Sequence, residues 1–409
     1  MKQGRLRGSV WALALLATMT GSAAAAMSDG VVRVLVLTNL SGTYSDFTGQ
    51  GSVAAAEMAA EALERTVAGT PVEVLTRDSE LDPDVAVRRL RETHAETPVD
   101  MVVGLSASNT ALAVQRFAEK HGIVTLHSAP SSTAFNDENC SPLAVQWGFN
   151  THALAQSVAT SLVERGARRW YFVTADYNFG HDLRDQVAAV VTANGGEVVG
   201  ESVIPSPAGP EAMAEAVNEA AASPADVLGL ANAGEDTQLA LRQSYAQGLQ
   251  MKDVAPVAIE FYITDVRSLG VYVTTGLRFA TSFYWNRDAR AREWSQRFLR
   301  RHGSPPTSPQ AGVYSATRHY LEAVAAAGTD EGERVMAAMR ARPVDDGVFT
   351  SDGRVLANSR MLHDMLLVEV KQPMDIERTG DYLEVLETVP RGTAFRDPRE
   401  TGCPLTSES

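Results

Sequence analysis

The sequence predicts an α/β protein of two lobes, each built on a doubly wound parallel sheet. Segments rich in β-branched apolar residues alternate with segments of helical period, as in the strand, loop and helix at 31–65. This rhythm runs twice, over 31–127 and 151–248, with an irregular polar stretch at 128–142 between the runs. Such strands are covered by helices on both faces, as in parallel sheets. A chain of 409 residues also exceeds one ordinary core.

The period of the apolar residues assigns the elements of both runs. After the unit at 31–65, the first run contains predicted strands at 71–77, 99–104 and 123–127 and predicted helices at 83–95 and 109–121. The second contains strands at 169–174, 197–204 and 226–230 and helices at 151–165, 179–194, 211–222 and 236–248.

The rest of the chain is less regular. We predict strands at 254–259, 277–283 and 382–388, helices at 288–302, 310–326 and 330–340, and a strand pair formed by 349–355 and 362–370. Residues 390–409 show no period, which predicts an extended tail.

The first 26 residues have the pattern of a secretory signal peptide. Lys2, Arg5 and Arg7 precede an apolar run at 10–19, and small residues end at Ala26, where we expect cleavage. No later run approaches the roughly 20 apolar residues of a spanning helix. We therefore expect an exported protein that does not insert into the membrane.

The charge balance is acidic. The net charge is −14, and it falls to −17 when the three basic residues of the leader are removed. An acidic chain without a basic stripe is a poor partner for nucleic acid.

For the oligomeric state of the protein, we expect a monomer.

Only two cysteines occur, Cys140 and Cys403. Export permits a disulfide between them, which would fix the tail near residue 140; two unrelated buried thiols are the alternative. Neither cysteine has a second cysteine or a histidine at metal-ligand spacing.

Signatures of enzymes are missing from the sequence. It contains no GxSxG, HExxH or GxxxxGK[ST] string. A GxGxxA string occurs at 49–54, but about ten residues separate it from the preceding strand. In a dinucleotide-binding site the glycine-rich turn follows its strand closely, so this string does not predict such a site. We therefore predict no catalytic residue, no metal and no cofactor.

Polar loops follow the predicted strands of the first run, where parallel sheets bind ligands. Tyr44 follows the first strand, and the loops after two later strands contribute hydroxyls or small groups at Ser106, Ala107, Ser108, Ser128, Pro130 and Ser132. A helix start that follows such a loop could hold a carboxylate through its unpaired amides, and plain helix capping is the alternative for each serine.

The second run places mainly aromatic residues at the matching positions. These candidates are Tyr177, Phe179, Asn232, Glu260 and Tyr284. A polar lobe that faces an aromatic lobe suits a ligand with one charged end and one apolar body. The alternative is that the aromatic side chains only cover the core.

The strings LSGTYSDFTGQ, VVGLSASNTALAV, LHSAPSSTAF and TADYNFG resemble the type I periplasmic binding proteins, in particular the branched-chain amino-acid-binding group of ABC importers. The resemblance implies two lobes joined by a three-strand hinge. It places 27–148 and 284–355 in lobe 1 and 149–283 and 356–390 in lobe 2, with 391–409 as a tail.

The resemblance also implies roles for particular residues. The loops at 106–108 and 128–132 would hold the ligand carboxylate, Phe179 would cover the ligand, and Glu260 would receive an ammonium group. Ala107, Pro130 and Phe179 depart from the family pattern. These departures leave both an amino acid and an aromatic or other organic acid open as ligand.

The implied function is capture of a small solute by hinge closure and its delivery to an ABC permease in the inner membrane. A ligand-presenting component of an exported sensory system is the alternative, and an exported enzyme is a distant third.

Overall fold

A computed structural model describes Met1 and residues 27–406 of the chain. The predicted signal peptide lies outside the described residues, apart from Met1. None of the helices in the described part of the chain combines the length and apolarity that a bilayer span requires.

The first lobe is built on a six-stranded sheet. Its strands are β1 (Val32–Thr38), β2 (Thr66–Val67), β3 (Thr70–Asp78), β4 (Met101–Val103), β5 (Val124–His127) and β6 (Ala144–Gln146). Their order is β2-β3-β1-β4-β5-β6, and all pairs are parallel except the hairpin of β2 with β3. Val34 lies between Val74 and Met101, so the strand centre is apolar on both sides.

Helices cover both faces of this sheet. They are α1 (Gly49–Ala62), α2 (Pro83–Glu96) and α3 (Ser108–Glu119) from the first run, and three that return from later in the chain. These are α10 (Ala289–His302), α11 (Ser308–Ala327) and α12 (Gly332–Ala341). Helix α1 packs against α10 and α11, and Gly51 lies directly beneath the Gln310 side chain.

The second lobe repeats the arrangement on a smaller sheet. Its parallel strands are β7 (Arg169–Ala175), β8 (Glu197–Ile204), β9 (Val227–Ala231) and β10 (Ala255–Ala258), in the order β10-β9-β7-β8. Its helices are α4 (Thr151–Glu164), α5 (Asn178–Ala193), α6 (Pro210–Ala222), α7 (Glu235–Ala246), α8 (Ile263–Leu269) and α9 (Val271–Thr274). The predicted class, an α/β protein with two parallel-sheet lobes, is confirmed.

A third, antiparallel sheet packs on α4 of the second lobe. It consists of β11 (Arg278–Thr281), β14 (Met365–Val370) and β15 (Leu383–Val389), in the order β11-β14-β15. The predicted pairing of 349–355 with 362–370 is wrong over most of its length. Only β12 (Arg354–Val355) and β13 (Met361–Leu362) pair, because β14 uses both of its edges for β11 and β15.

The tail is not extended, contrary to the prediction. It forms α13 (Arg391–Ala394) and two further single turns, and Ala394 and Phe395 are buried against the second lobe. The sequence pattern missed this because each turn is too short to show a period. The predicted disulfide between Cys140 and Cys403 is confirmed, with the two Cα atoms 5.7 Å apart.

Candidate functional site

The two parallel sheets have facing switch points, where the order of the strands reverses. In the first sheet β1 lies beside β4, and in the second β7 lies beside β9. Ligands of open α/β sheets bind beyond the carboxyl ends of such strand pairs. Helices α1, α3, α5 and α7 begin there, directly after these four strands.

These four helices begin without a side-chain cap. Their N-cap residues, none of which accepts a capping hydrogen bond through its side chain, are Thr48, Ala107, Tyr177 and Gly234. Helices α2 and α4 follow strands farther from the switch points, and Asp82 and Asn150 cap them with their side chains. The first turns of α1, α3 and α5 carry no acidic side chain, so their amides keep the capacity to hold an anion.

The lobes touch across the cleft through a pair of phenols. The hydroxyls of Tyr44 and Tyr177 lie 2.5 Å apart, and burial raises the pKa of both well above its ordinary value. Both are therefore neutral. Gly234 packs against Tyr44 with a φ of 60°, and a Cβ atom there would lie 3.0 Å from the Thr43 carbonyl oxygen. A side chain at this position would hold the lobes apart.

Glu260 makes a second connection between the lobes. It follows β10, and its carboxylate accepts hydrogen bonds from Ser131 Oγ (2.8 Å) in the first lobe and Tyr262 Oη (2.6 Å) in the second. The side chain is buried. Burial raises the pKa of its carboxyl to about 7, although the two hydroxyl donors oppose the rise. The group can therefore gain or lose a proton near neutral pH.

Aromatic rings line this contact on both sides. Phe47 stacks on Tyr262 with ring centroids 4.3 Å apart, and Tyr44 lies 5.2 Å from Phe47. On the second lobe the centroids of Tyr177 and Phe179 are 5.7 Å apart. The predicted division into a polar and an aromatic lobe is therefore too simple, since the first lobe supplies rings as well.

The hydroxyls of the predicted serine loops mostly hold the loops in shape. Ser106 Oγ lies 2.8 Å from Thr48 Oγ1, and Ser108 Oγ accepts a bond from the Ser132 amide at 3.3 Å. Ser132 Oγ accepts from the Ala134 amide at 3.3 Å, which caps a short turn. Ser128 Oγ is buried and has no hydrogen-bond partner in the described part of the chain.

Pro130 contributes its backbone to the same loop. Its carbonyl oxygen accepts a 2.9 Å bond from the Gln146 side chain, which also donates to the Ser132 carbonyl at 3.0 Å. Ala107 is buried at the start of α3 and belongs to the same cluster of packed side chains as Tyr44, Phe47 and Phe179.

Two predicted site residues lie outside this cluster of hydroxyls and rings. Asn232 is fully buried, accepts a 2.7 Å bond from Thr237 Oγ1 and donates to the Val173 carbonyl. Tyr284 donates to Asp381, and its hydroxyl accepts from the Leu383 amide at 3.3 Å in the third sheet. Both residues support the framework around the cleft.

The sequence pattern missed four residues of the contact. Thr48, Ser131 and Tyr262 lie within or beside loops that were already singled out, so the loops themselves were the available signal. Asp236, on α7, accepts 2.7 Å bonds from Ser206 Oγ and the Ala208 amide and lies close enough to raise the pKa of Tyr44. Asp236 lies just beyond the loop that follows β9, from which only Asn232 was singled out.

A sizeable cavity lies away from the switch points. It has a volume of about 590 Å³ and lies between the edge strands β10 and β11, where Pro256 and Leu277 line it. None of the predicted site residues lines this cavity. None of the four uncapped helix starts and none of the hydroxyl contacts between the lobes lies at this cavity. We therefore place the candidate site at the switch points.

Comparisons with known proteins give a consistent result. A family model described as periplasmic binding protein matches residues 31–375. Among curated proteins, no match was found. A periplasmic binding protein from Burkholderia mallei is 35% identical, with 92% of this chain and 99% of that chain covered and a TM-score of 0.87.

Two further solved structures illustrate the range of similarity. A branched-chain amino acid ABC transporter periplasmic ligand-binding protein from Burkholderia xenovorans LB400 is 30% identical, with 91% and 99% of the two chains covered and a TM-score of 0.82. The other is a solute-binding protein of an ABC transporter from Rhodopseudomonas palustris BisB5, in complex with 3,4-dihydroxybenzoic acid. It is 18% identical, the match covers 91% of this chain and 100% of that chain, and the TM-score is 0.80. At that identity the last match shows the fold alone.

Proposed function

The chain belongs to the periplasmic binding protein family, and from this premise we propose that it captures a small carboxylate-bearing solute between its lobes. The family consists of non-enzymatic solute-binding proteins that serve ABC permeases. The proposed solute is an amino acid or an aromatic or other small organic acid. Binding to both lobes favours the closed state, because the ligand gains contacts there that the open state lacks.

The uncapped helix starts of α1, α3 and α5 at the facing switch points carry this proposal. By contrast, the two helices that follow the strands farther from the switch point of the first sheet, α2 and α4, are capped by the side chains of Asp82 and Asn150. A carboxylate can accept hydrogen bonds from first-turn amides and interacts favourably with the helix dipole. The unpartnered hydroxyl of Ser128 offers a further donor in the adjoining loop.

Each predicted residue has a place in the proposed site. The loops at 106–108 and 128–132 hold the carboxylate, with Ser106, Ser108, Ser132, Ala107 and Pro130 shaping them and Ser128 donating. Tyr44, Tyr177 and Phe179 enclose the body of the ligand. Glu260 receives a donor group such as an ammonium. Asn232 and Tyr284 act from outside, through the framework.

We also propose the lobe boundaries and the cellular setting. Lobe 1 comprises 27–148 and 284–355, and lobe 2 comprises 149–283 and 356–390, which agrees with the packing of α10 and α11 on α1 and of the third sheet on α4. The chain crosses between lobes near 148, 283 and 356. The mature protein begins near residue 27 after export and works in the periplasm as a monomer.

Calorimetry on matched ligands tests the carboxylate. Leucine, phenylalanine, benzoate and 4-hydroxybenzoate are each compared with their primary amides. We expect at least one acid to bind, and its amide to bind at least about tenfold more weakly, because the amide cannot supply an anion to the helix starts; tenfold corresponds to about 1.4 kcal/mol. Equal binding of an acid and its amide would contradict the proposed carboxylate site.

A further inference from the structure

The C-terminal tail runs from the second lobe back to the first. It leaves β15 of the third sheet, and α13 packs on α4 of the second lobe. Farther on, the Gly402 amide donates to Asp137 Oδ1 at 2.9 Å, and Cys403 is bonded to Cys140. Asp137 and Cys140 belong to the first lobe, so the tail makes a covalent route between the lobes in addition to the three crossings.

The middle of the tail lies where the three crossings meet. The Arg360 guanidinium donates to Gln146 Oε1 at 3.1 Å and to the carbonyl of Gly148, and it lies 3.2 Å from His363 Nε2. That histidine nitrogen lies 3.4 Å from Ser282 Oγ. Residues from all three crossings therefore form one polar hub, defined here as Gln146, Gly148, Ser282, Arg360 and His363.

The hub contains a buried cation. Arg360 is only 2% exposed and makes no ion pair within the described part of the chain. Neutral hydrogen-bond acceptors and a ring of the tail stabilise the guanidinium instead. Phe395 lies over it, with 4.1 Å between the carbon centre and the ring centroid. The same ring meets His363 edge-on at 5.2 Å. A cation–π contact is worth most when it is desolvated, as here.

Arg396 ties the tail to both lobes at once. Its guanidinium donates to Asp137 Oδ2 at 3.3 Å in the first lobe and to Gln186 Oε1 at 2.9 Å on α5 of the second. Opening of the cleft rotates the lobes about the crossings, and this rotation has to strain or break the bridge. The disulfide prevents the tail from simply leaving with the second lobe.

We propose that the tail is a covalent strap that restrains opening of the cleft and keeps the hinge hub dry. It favours the closed arrangement before any ligand binds, which lowers the free energy that a ligand must supply for closure. The strap rests on the lobe assignment of the proposed function. It does not depend on which solute binds, so a wrong solute would leave it standing.

Small-angle X-ray scattering of the ligand-free mature protein tests the strap. The variants are Cys140→Ser with Cys403→Ser, which opens the covalent link, and Phe395→Ala, which uncovers the hub with the disulfide intact. Arg399→Ala is the matched control, because Arg399 is an exposed tail residue whose side chain, among the described residues, bonds only to Asp397 of the tail.

Both strap variants should show a larger radius of gyration than the wild type. We expect an increase on the order of 1 Å over the roughly 21 Å of a compact chain of this size, with no change in the control. Unchanged radii in both strap variants would overturn the proposal. If the double cysteine variant fails to fold, Phe395→Ala decides alone, since an unchanged radius there would show that the tail does not restrain the hinge.

Discussion

Replacing Gly180 by alanine should unfold part of the second lobe and remove ligand binding. A Cβ atom at Gly180 would lie 2.1 Å from the carbonyl oxygen of Ala175 and 2.9 Å from its carbonyl carbon. Ala175 ends β7, and the Tyr177 amide bonds to the same carbonyl oxygen at 2.8 Å. Because the obstacle is backbone, the turn between β7 and α5 has to open.

The expected effect is large because this turn places two site residues. Tyr177 and Phe179 both stand at the start of α5, and the Tyr177 hydroxyl meets Tyr44 of the first lobe. Overpacking of a close contact costs about 1–3 kcal/mol, and we expect the upper end here because a carbonyl cannot move aside as a side chain can. Ligand affinity should fall by more than about tenfold, or 1.4 kcal/mol.

Denaturant unfolding and calorimetry measure the two effects. Gly392→Ala is the matched control, since Gly392 also lies in a helix and a Cβ atom there would meet nothing within 4 Å. Its stability should change by less than about 1 kcal/mol. An unaltered unfolding midpoint in Gly180→Ala would show that the turn does not have the described geometry.

The second prediction concerns Glu260→Gln, which should stabilise the protein at pH 8 and weaken the binding of amines. Burial raises the pKa of Glu260 from an ordinary 4.5 to about 7. Between these pH values the folded state holds a proton that the unfolded state has released, so stability falls as the pH rises through this window. The loss amounts to about 3 kcal/mol at most, and glutamine, which does not titrate, avoids it.

The affinity for ligands with an ammonium group should fall in Glu260→Gln, although the stability of the protein rises. An ammonium group pairs with the ionised carboxylate, so leucine or phenylalanine should lose about tenfold or more in affinity on Glu260→Gln at pH 8. The loss should be smaller at pH 5, where the wild-type carboxyl is already protonated. Acids without the amine, 4-methylpentanoate and 3-phenylpropanoate, serve as matched ligands and should lose less.

Thermal unfolding of both proteins at pH 5 and pH 8 checks the stability effect. Asp265 is also buried with a pKa raised to about 7, and it is present in both proteins, so their difference reports Glu260 together with its repulsion by Asp265. A difference in melting temperature that is the same at both pH values would refute the titration of Glu260 in this window. An equal loss of affinity for amines and their amine-free partners would refute its pairing with an ammonium.

Much of the fold could be predicted because each unit is locally encoded. Strand β8 begins and ends as its pattern predicted, at 197–204, and the buried strand β7 differs from the prediction by one residue at its end. Apolar period and turn residues act within about ten positions, so they are visible in the chain itself. Elements of two or three residues, such as β2 and β6, show no period and were missed.

The candidate site was predictable only as a set of loops. The loops after β1, β4, β5, β7 and β10 were identified because ligands of open α/β sheets bind beyond the carboxyl ends of the parallel strands. Which side chains of those loops meet was not predictable. Asn232 and Tyr284 also follow the ends of strands, yet their polar groups form hydrogen bonds with Thr237 and Asp381 and do not meet the other lobe.

By itself, the sequence determined the strand and helix alternation, the two-lobed class and the possibility of a disulfide. Only the tertiary structure decided that Tyr44 meets Tyr177, that Ser131 bonds to Glu260, and that the tail covers Arg360. Tyr44 and Tyr177 are separated by 133 residues in the sequence, and Ser131 and Glu260 by 129. No local period links residues so far apart, because their contact depends on how the crossings orient one lobe against the other.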